Sequence, residues 1–342
     1  MKHYICTNRK VRTDKNGNDY IIKDGYEPPS TEIRFGTVDS NNGEIDIFED
    51  INVSLNQNGD VNYADSTLKN KGSFKLFKQL EEFLSKESNE LIIFIPGYGN
   101  DTKNIQQFTK DLHSCYIEDQ SENRRFLTFF WTTNGKKLSP KDYKLDSYDS
   151  TFAGRALAKL FIRWAEYLEI AQNYEQRVVE LKGKIHLMAQ SMGNQVLKHT
   201  MEFINYVEEK PLSIHFNEIL LLAADVEKQV FKTGNAFETL PLLGNRIHVF
   251  GQKKDTALKL SNVMWLFMDK KLRIRLGQGF GKSEIAPEVE NLYAVDVSEL
   301  TRSEIIFHVD EIVEHWYFIK SKGVISEINK VLKGGRCNKY KN

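Results

Sequence analysis

Cysteine is scarce in this chain. The 342 residues hold three, Cys6, Cys115 and Cys337, far apart and without zinc-ligand spacing. An odd, scattered set excludes a disulfide framework and reads as free thiols in a reducing cytosol, so a cytoplasmic location is expected. Charge of one sign is lacking too: Lys plus Arg and Asp plus Glu both number 47, for a net charge of zero. Nothing in that total calls for a nucleic-acid partner. No apolar signal core follows Met1, and no run of about eighteen apolar residues occurs, so no leader and no transmembrane segment are expected. A Gly-Lys-Ser/Thr phosphate loop is missing, as is any cluster of His, Cys and Asp at metal-ligand spacing. The expectation is therefore chemistry on a small-molecule substrate with no cofactor and no metal. What remains, 40% hydrophobic and 27% charged residues, is the balance of an ordinary globular protein.

The first ninety or so residues are polar and turn-rich, with Tyr4-Ile5-Cys6 a short strand. Ile33, Phe35, Val38, Ile45 and Ile47 suggest edge strands or a cover on a larger sheet. Strand and helix then alternate. Continuous apolar runs at Leu91–Ile95, Phe126–Trp131, Ile185–Ala189, Glu218–Ala224, Arg246–Phe250 and Leu292–Val295 read as strands covered on both faces. Between them lie helical patterns, including Ala156, Leu157, Leu160, Phe161 and Trp164, while Leu138–Ser150 reads as a polar connection. The pattern predicts an α/β fold: one doubly wound, mostly parallel sheet with flanking helices and an N-terminal strand/loop cover. The basic run Lys270–Arg275 and the glycine-rich stretch Gly277–Lys282 read as a solvated face beside a flexible loop, since no strand precedes the glycines.

The stretch Ile185–Asn194 carries the chemistry. An apolar strand breaks at Gln190-Ser191-Met192-Gly193, and a helical pattern resumes with Val196, Leu197, Met201 and Ile204. A serine at an abrupt strand-to-helix turn is the nucleophile elbow of an α/β-hydrolase, and it leaves the next backbone N–H, that of Met192, aimed at an oxyanion. The flanking small residues are Ala189 and Gly193, so the pattern is A-x-S-x-G. A serine before a helix otherwise serves as an N-cap. The nucleophilic reading needs a base, an acid and a second oxyanion donor.

Partners occur in the order serine, acid, histidine that this fold uses. His199 lies on the following helix, His215 at the amino end of a strand and His248 within one, which leaves His315 as the preferred base and His308 as the alternative. Asp255 and Asp225 each end a strand; the usual position after the penultimate strand favours Asp255, with Asp225 the alternative acid or a helix cap. Pro96-Gly97-Tyr98-Gly99 ends an earlier strand, and its Tyr98 N–H is the second candidate oxyanion donor. An acyl pocket is expected above the strand ends, walled by the segment Trp265–Ile285 or by the 136–150 connection.

With these residues the sequence resembles a bacterial α/β-hydrolase family, catalogued as domain of unknown function nine hundred, an esterase/lipase-like group. The resemblance runs through Thr7-Asn8-Arg9, Phe35-Gly36-Thr37, Phe94–Asn100, Phe130-Trp131, Ile185–Asn194, Ala223–Val226, Asp255–Leu258 with Ser261, and His315–Phe318. It implies Ser191 as nucleophile, His315 as base and a late Asp as orienter. Pro96 and Gln190 stand where the family usually has histidine. The resulting expectation is a serine hydrolase cleaving a carboxylic ester or related acyl bond through an acyl-enzyme. The alternatives are an amide or thioester hydrolase with the same triad, or a non-catalytic hydrolase-fold binding protein. Residues 1–89 are expected to form an extension packed on the core, 90–335 the hydrolase domain and 336–342 a tail.

Overall fold

The computed structural model describes residues 1–15, 19–21, 30–49, 72–99, 102–117, 123–133, 140–173, 180–207, 214–270, 272–300, 313–337 and 340–341. The strands are β1 (Lys2–Thr7), β2 (Val11–Thr13), β3 (Asp19–Ile21), β4 (Arg34–Asp39), β5 (Ile45–Ile47), β6 (Glu90–Ile95), β7 (Arg124–Phe130), β8 (Lys184–Gln190), β9 (Phe216–Leu222), β10 (Gly244–Gly251), β11 (Leu292–Asp296) and β12 (Tyr340–Lys341). The helices are α1 (Gly72–Leu84), α2 (Thr102–Tyr116), α3 (Pro140–Asn173), α4 (Gly193–Val207), α5 (Thr256–Asp269), α6 (Lys282–Ile285), α7 (Val313–Lys320) and α8 (Lys322–Leu332).

Ten strands form one sheet in the order β12-β11-β10-β9-β8-β6-β7-β1-β4-β5, while β2 and β3 pair separately. The seven strands from β11 to β1 in that order run parallel to their neighbours. Strands β4, β5 and β12 are antiparallel additions at the edges. The amino-terminal strand β1 thus lies within the sheet, between β7 and β4.

Alternation along the central strands divides the core into two layers, as the pleat requires. Leu91, Ile93 and Ile95 of β6 face the layer built with α1, α3 and α4. Ile92 and Phe94 face the layer built with α2, α7 and α8. Strand β9 repeats the pattern with Ile219 and Leu221 against Leu220 and Leu222. Every one of these side chains is fully buried. At about 1.5–3 kcal/mol for each large apolar side chain taken out of water, this double burial is what selects a parallel sheet here.

Two sequence readings give way. The segment read as a polar connection is helical from Pro140, a residue suited to the first helical position. Its inward face, Tyr143, Asp146, Asp149, Ser150 and Ala153, is buried but mostly polar, so no hydrophobic periodicity marks it. The stretch after Arg275 is an ordered turn packed on the sheet, with a short 3-10 helix at Leu276–Gln278. A Cβ on Gly277 would stand 2.3 Å from the Ala224 nitrogen, so the glycine serves close approach to the end of β9. Arg275 is buried, not part of a solvated face.

The strand order reverses between β6 and β8. The chain steps outward from β6 to β7, then crosses back to place β8 on the other side of β6. Crevices at such switch points, beyond the carboxyl ends of the strands, are where open α/β sheets bind ligands. Ile95 and Ala189 are register partners, so the loop after β6 and the turn after β8 emerge side by side.

Candidate active site

The turn after β8 is strained, and its surroundings hold it. Ser191 has φ 53°, a left-handed backbone that costs a non-glycine residue about 1–3 kcal/mol. Its N–H donates to the Leu222 carbonyl at 2.9 Å, and its own carbonyl accepts from the Asn194 and Asp225 N–H groups at 3.0 and 3.2 Å. The Asn194 side-chain amide donates to the Ala189 and Ser191 carbonyls at 3.0 and 3.1 Å, clamping the turn from inside. Gly193 is obligatory in size: a Cβ there would lie 2.2 Å from the Ile95 carbonyl oxygen.

This turn presents the Ser191 hydroxyl to His315. With the histidine protonated at Nδ1, Ser191 Oγ donates to Nε2 at 2.8 Å and Nδ1 donates to Asp255 Oδ2 at 2.8 Å. The Ser191 hydroxyl engages the histidine, and among the described residues no backbone N–H of the following helix donates to it. Asp255 does two things at once: its other oxygen, Oδ1, accepts from the Leu258 N–H at 2.9 Å and caps α5. All three side chains are buried, with Asp255 fully so. Burial pulls the His315 pKa down, but the Asp255 charge and hydrogen bond, with a smaller pull from Asp225, outweigh it and leave the value raised.

Asp225 takes a different place. Oδ2 accepts from the Tyr143 hydroxyl at 2.7 Å and the Gln195 amide at 3.1 Å, and Oδ1 accepts from the Ser261 hydroxyl at 2.6 Å. Arg275 Nε lies 3.6 Å from Oδ1. Burial drives the Asp225 pKa upward, with Arg275 the largest opposing influence. Among the described residues its hydrogen bonds go to this cluster; none reaches His315. His308 lies outside the described residues. His248 is buried beside Glu218 at 2.9 Å, His199 pairs with Glu202 and His215 with Asn245.

The two residues that depart from the family pattern anchor the loop after β6, Gln190 to the elbow and Pro96 to Trp131 just past the end of β7. The Gly97 N–H donates to Gln190 Oε1 at 2.9 Å, and the Pro96 carbonyl accepts from Trp131 Nε1 at 2.8 Å. The Gln190 amide nitrogen lies 3.4 Å from His315 Nε2, so this glutamine touches both the loop and His315. Tyr98 follows on that loop, half-buried, its ring edge-on to Tyr143 at 5.8 Å between centroids. No described group accepts from the Met192 N–H, which begins the helical turn beside Ser191. Tyr317, two residues past His315, supports the floor. Its hydroxyl accepts from the Ala223 N–H at 2.6 Å and donates to the Phe250 carbonyl at 2.9 Å, bridging the ends of β9 and β10.

Sequence reading missed Asn194, Tyr317 and the Asp225 cluster. The position of Asn194 three residues past the serine and of Tyr317 two past the histidine were the available signals. Arg275 and Tyr143 gave none, because only long-range packing brings them to Asp225. Among the described residues no group of His, Cys, Asp and Glu could hold a metal ion, and no helix is long and apolar enough to cross a membrane.

A doubly wound sheet with a positive-φ serine at the central strand-to-helix turn defines an α/β-hydrolase. More particularly, the chain belongs to the family of α/β-hydrolases of unknown function, DUF900, whose model matches residues 73–324. No curated protein matches it. Among solved structures it is similar to a candidate cell surface hydrolase from Lactobacillus plantarum WCFS1. The two are 10% identical, with a TM-score of 0.35 over 73% of this chain and 94% of that one.

Proposed function

We propose that the protein is a serine hydrolase that cleaves a carboxylic ester or related acyl bond through an acyl-enzyme. The observation that carries this reading is the unbroken relay of 2.8 Å hydrogen bonds from Ser191 through His315 to Asp255, at the carboxyl ends of the strands. His315 takes the Ser191 proton as Oγ attacks the acyl carbon, and the electron pair of the carbonyl moves onto its oxygen. The Met192 and Tyr98 N–H groups are the proposed oxyanion donors. Protonated His315 then gives its proton to the leaving oxygen, and water repeats the sequence to free the acid. Asp255 stabilises the imidazolium and fixes its tautomer. Asp225 keeps a supporting role in the wall of the site. The three cysteines form no disulfide among the described residues, and two of them are buried, which fits an enzyme of a reducing cytoplasm.

A fluorophosphonate probe tests the assignment. The folded wild type should be labelled, and Ser191→Ala and His315→Ala should not. Loss of either residue should lower turnover about a thousandfold or more. A folded wild type that stays unlabelled removes the enzyme reading, and labelling that survives Ser191→Ala moves the nucleophile elsewhere.

A further inference from the structure

Beside the elbow lies a cavity of about 670 Å³, between the amino-terminal turns of α3 and the segment Arg273–Arg275. It contains a charge that the proposed acyl chemistry does not use. Arg275 lines this cavity at 2% exposure, and its Nε and Nη2 donate to no acceptor. Arg275 forms a buried ion pair with Asp225, but at 3.6 Å from Nε to Oδ1 it is too long for a hydrogen bond, and both carboxylate oxygens accept from neutral donors instead. Buried donors without acceptors are costly, and those of a charged group more so. The guanidinium is held in place by Trp265, whose ring centre is 5.2 Å away and whose Nε1 donates to the Tyr143 hydroxyl at 3.0 Å.

The charge of the lining is unbalanced in the same direction. Arg273 is paired with Glu227, and Lys198 with Glu202. Lys141 and Lys144 are exposed at the mouth and make no ion pair among the described residues. The same lining includes the apolar and aromatic side chains Leu145, Tyr148, Val226 and Trp265 among its polar residues. A neutral ligand without acceptors would leave Arg275 Nε and Nη2 without hydrogen bonds, and a small hydrated anion would leave the apolar side chains of the lining uncovered.

We propose that this cavity binds an anionic head group, a carboxylate or a phosphate monoester, carried on an apolar chain. Arg275 is its anchor, and Lys141 and Lys144 attract it at the mouth. That this anion is part of the substrate rests on the serine-hydrolase reading; the binding itself does not. The cavity adjoins the elbow through Asp225, a lining residue whose N–H donates to the Ser191 carbonyl at 3.2 Å.

Calorimetric titration of the full chain with octanoate, octyl phosphate and 1-octanol tests the site. At least one anion should bind about tenfold or more tightly than the alcohol, and the preferred anion identifies the head group. Arg275→Gln should abolish that preference. Lys141→Gln with Lys144→Gln, both at exposed positions, should weaken the anion a few-fold and flatten its salt dependence. Equal binding of alcohol and anions, no binding of either anion, or wild-type affinity in a folded Arg275→Gln variant overturns the proposal. Should circular dichroism show Arg275→Gln unfolded, the alcohol comparison and the lysine variant decide. Fluorophosphonate labelling of the same samples separates the two readings. A labelled Ser191 without anion binding sinks only the anion site, and anion binding by an unlabelled protein sinks only the nucleophile.

Discussion

Ser191 is held at φ 53° by hydrogen bonds to both of its own peptide groups, so the strain of the turn is built into the end of the sheet. The same local economy appears at His315, whose protonation is governed by three influences of opposite sign. Burial disfavours the imidazolium, the paired Asp255 carboxylate favours it, and Asp225 adds to the second; the sum raises the pKa above the ordinary histidine value. In the proposed mechanism His315 must be neutral to accept the Ser191 proton, so activity should fall as pH drops through that raised value. The acid limb of the kcat/KM profile is therefore expected above pH 6.5, the ordinary histidine value. Asp255→Asn removes the largest favourable influence, and its residual activity should titrate at lower pH. A limb that stays in place in Asp255→Asn would show that another group controls it.

At the scale of elements, Asp255 joins two of them. One carboxylate oxygen caps α5 through the Leu258 N–H and the other holds His315 on α7. The two roles separate by substitution. Asparagine keeps an oxygen for the cap, so Asp255→Asn should fold with a melting temperature near wild type while losing activity by about 10³–10⁴-fold. Alanine removes both, and should cost a further ~1 kcal/mol of stability from the cap, seen as a lower denaturation midpoint. Equal stability of the two variants would mean that the cap carries no weight. Asp255 illustrates what is legible in a sequence: it ends an apolar strand and opens a helix, and both facts are local. The elbow is legible for the same reason, as are the six core strands, whose apolar runs need no partner to be seen. Arg275 and the start of α3 were not. A basic run looks solvated until distant elements cover one of its members, and a helix whose inward face is Asp146, Asp149 and Ser150 shows no apolar stripe.

The whole molecule has a stability that depends on pH through histidines far from the site. His186, in the middle of β8, is fully buried, and neither ring nitrogen has a hydrogen-bond partner. Burial, with the charges of Arg124, Lys184 and Arg246, lowers its pKa to about 3. His3, in β1 beside His113, is lowered to about 3 by burial and that neighbour. Both values lie below the unfolded histidine value near 6.5, so on acidification the unfolded chain takes up protons before the folded one. Their contribution is complete above pH 6.5 and is lost as pH falls toward 3. At pH 5 each group costs up to ~2 kcal/mol, from about 1.5 pH units at 1.36 kcal/mol each. Two such groups rival a large part of a typical folding free energy of about 5–15 kcal/mol. His315 acts in the opposite sense: its raised value adds stability below the unfolded pKa that disappears as pH rises through the folded one. Acid unfolding should therefore begin well above the pKa of the carboxylates. His186→Leu, which fills a similar volume and removes the unpartnered nitrogens, should shift the acid midpoint downward and raise the neutral-pH melting temperature. An unchanged acid midpoint in a folded His186→Leu variant would locate the proton uptake elsewhere, leaving His3 as the remaining test.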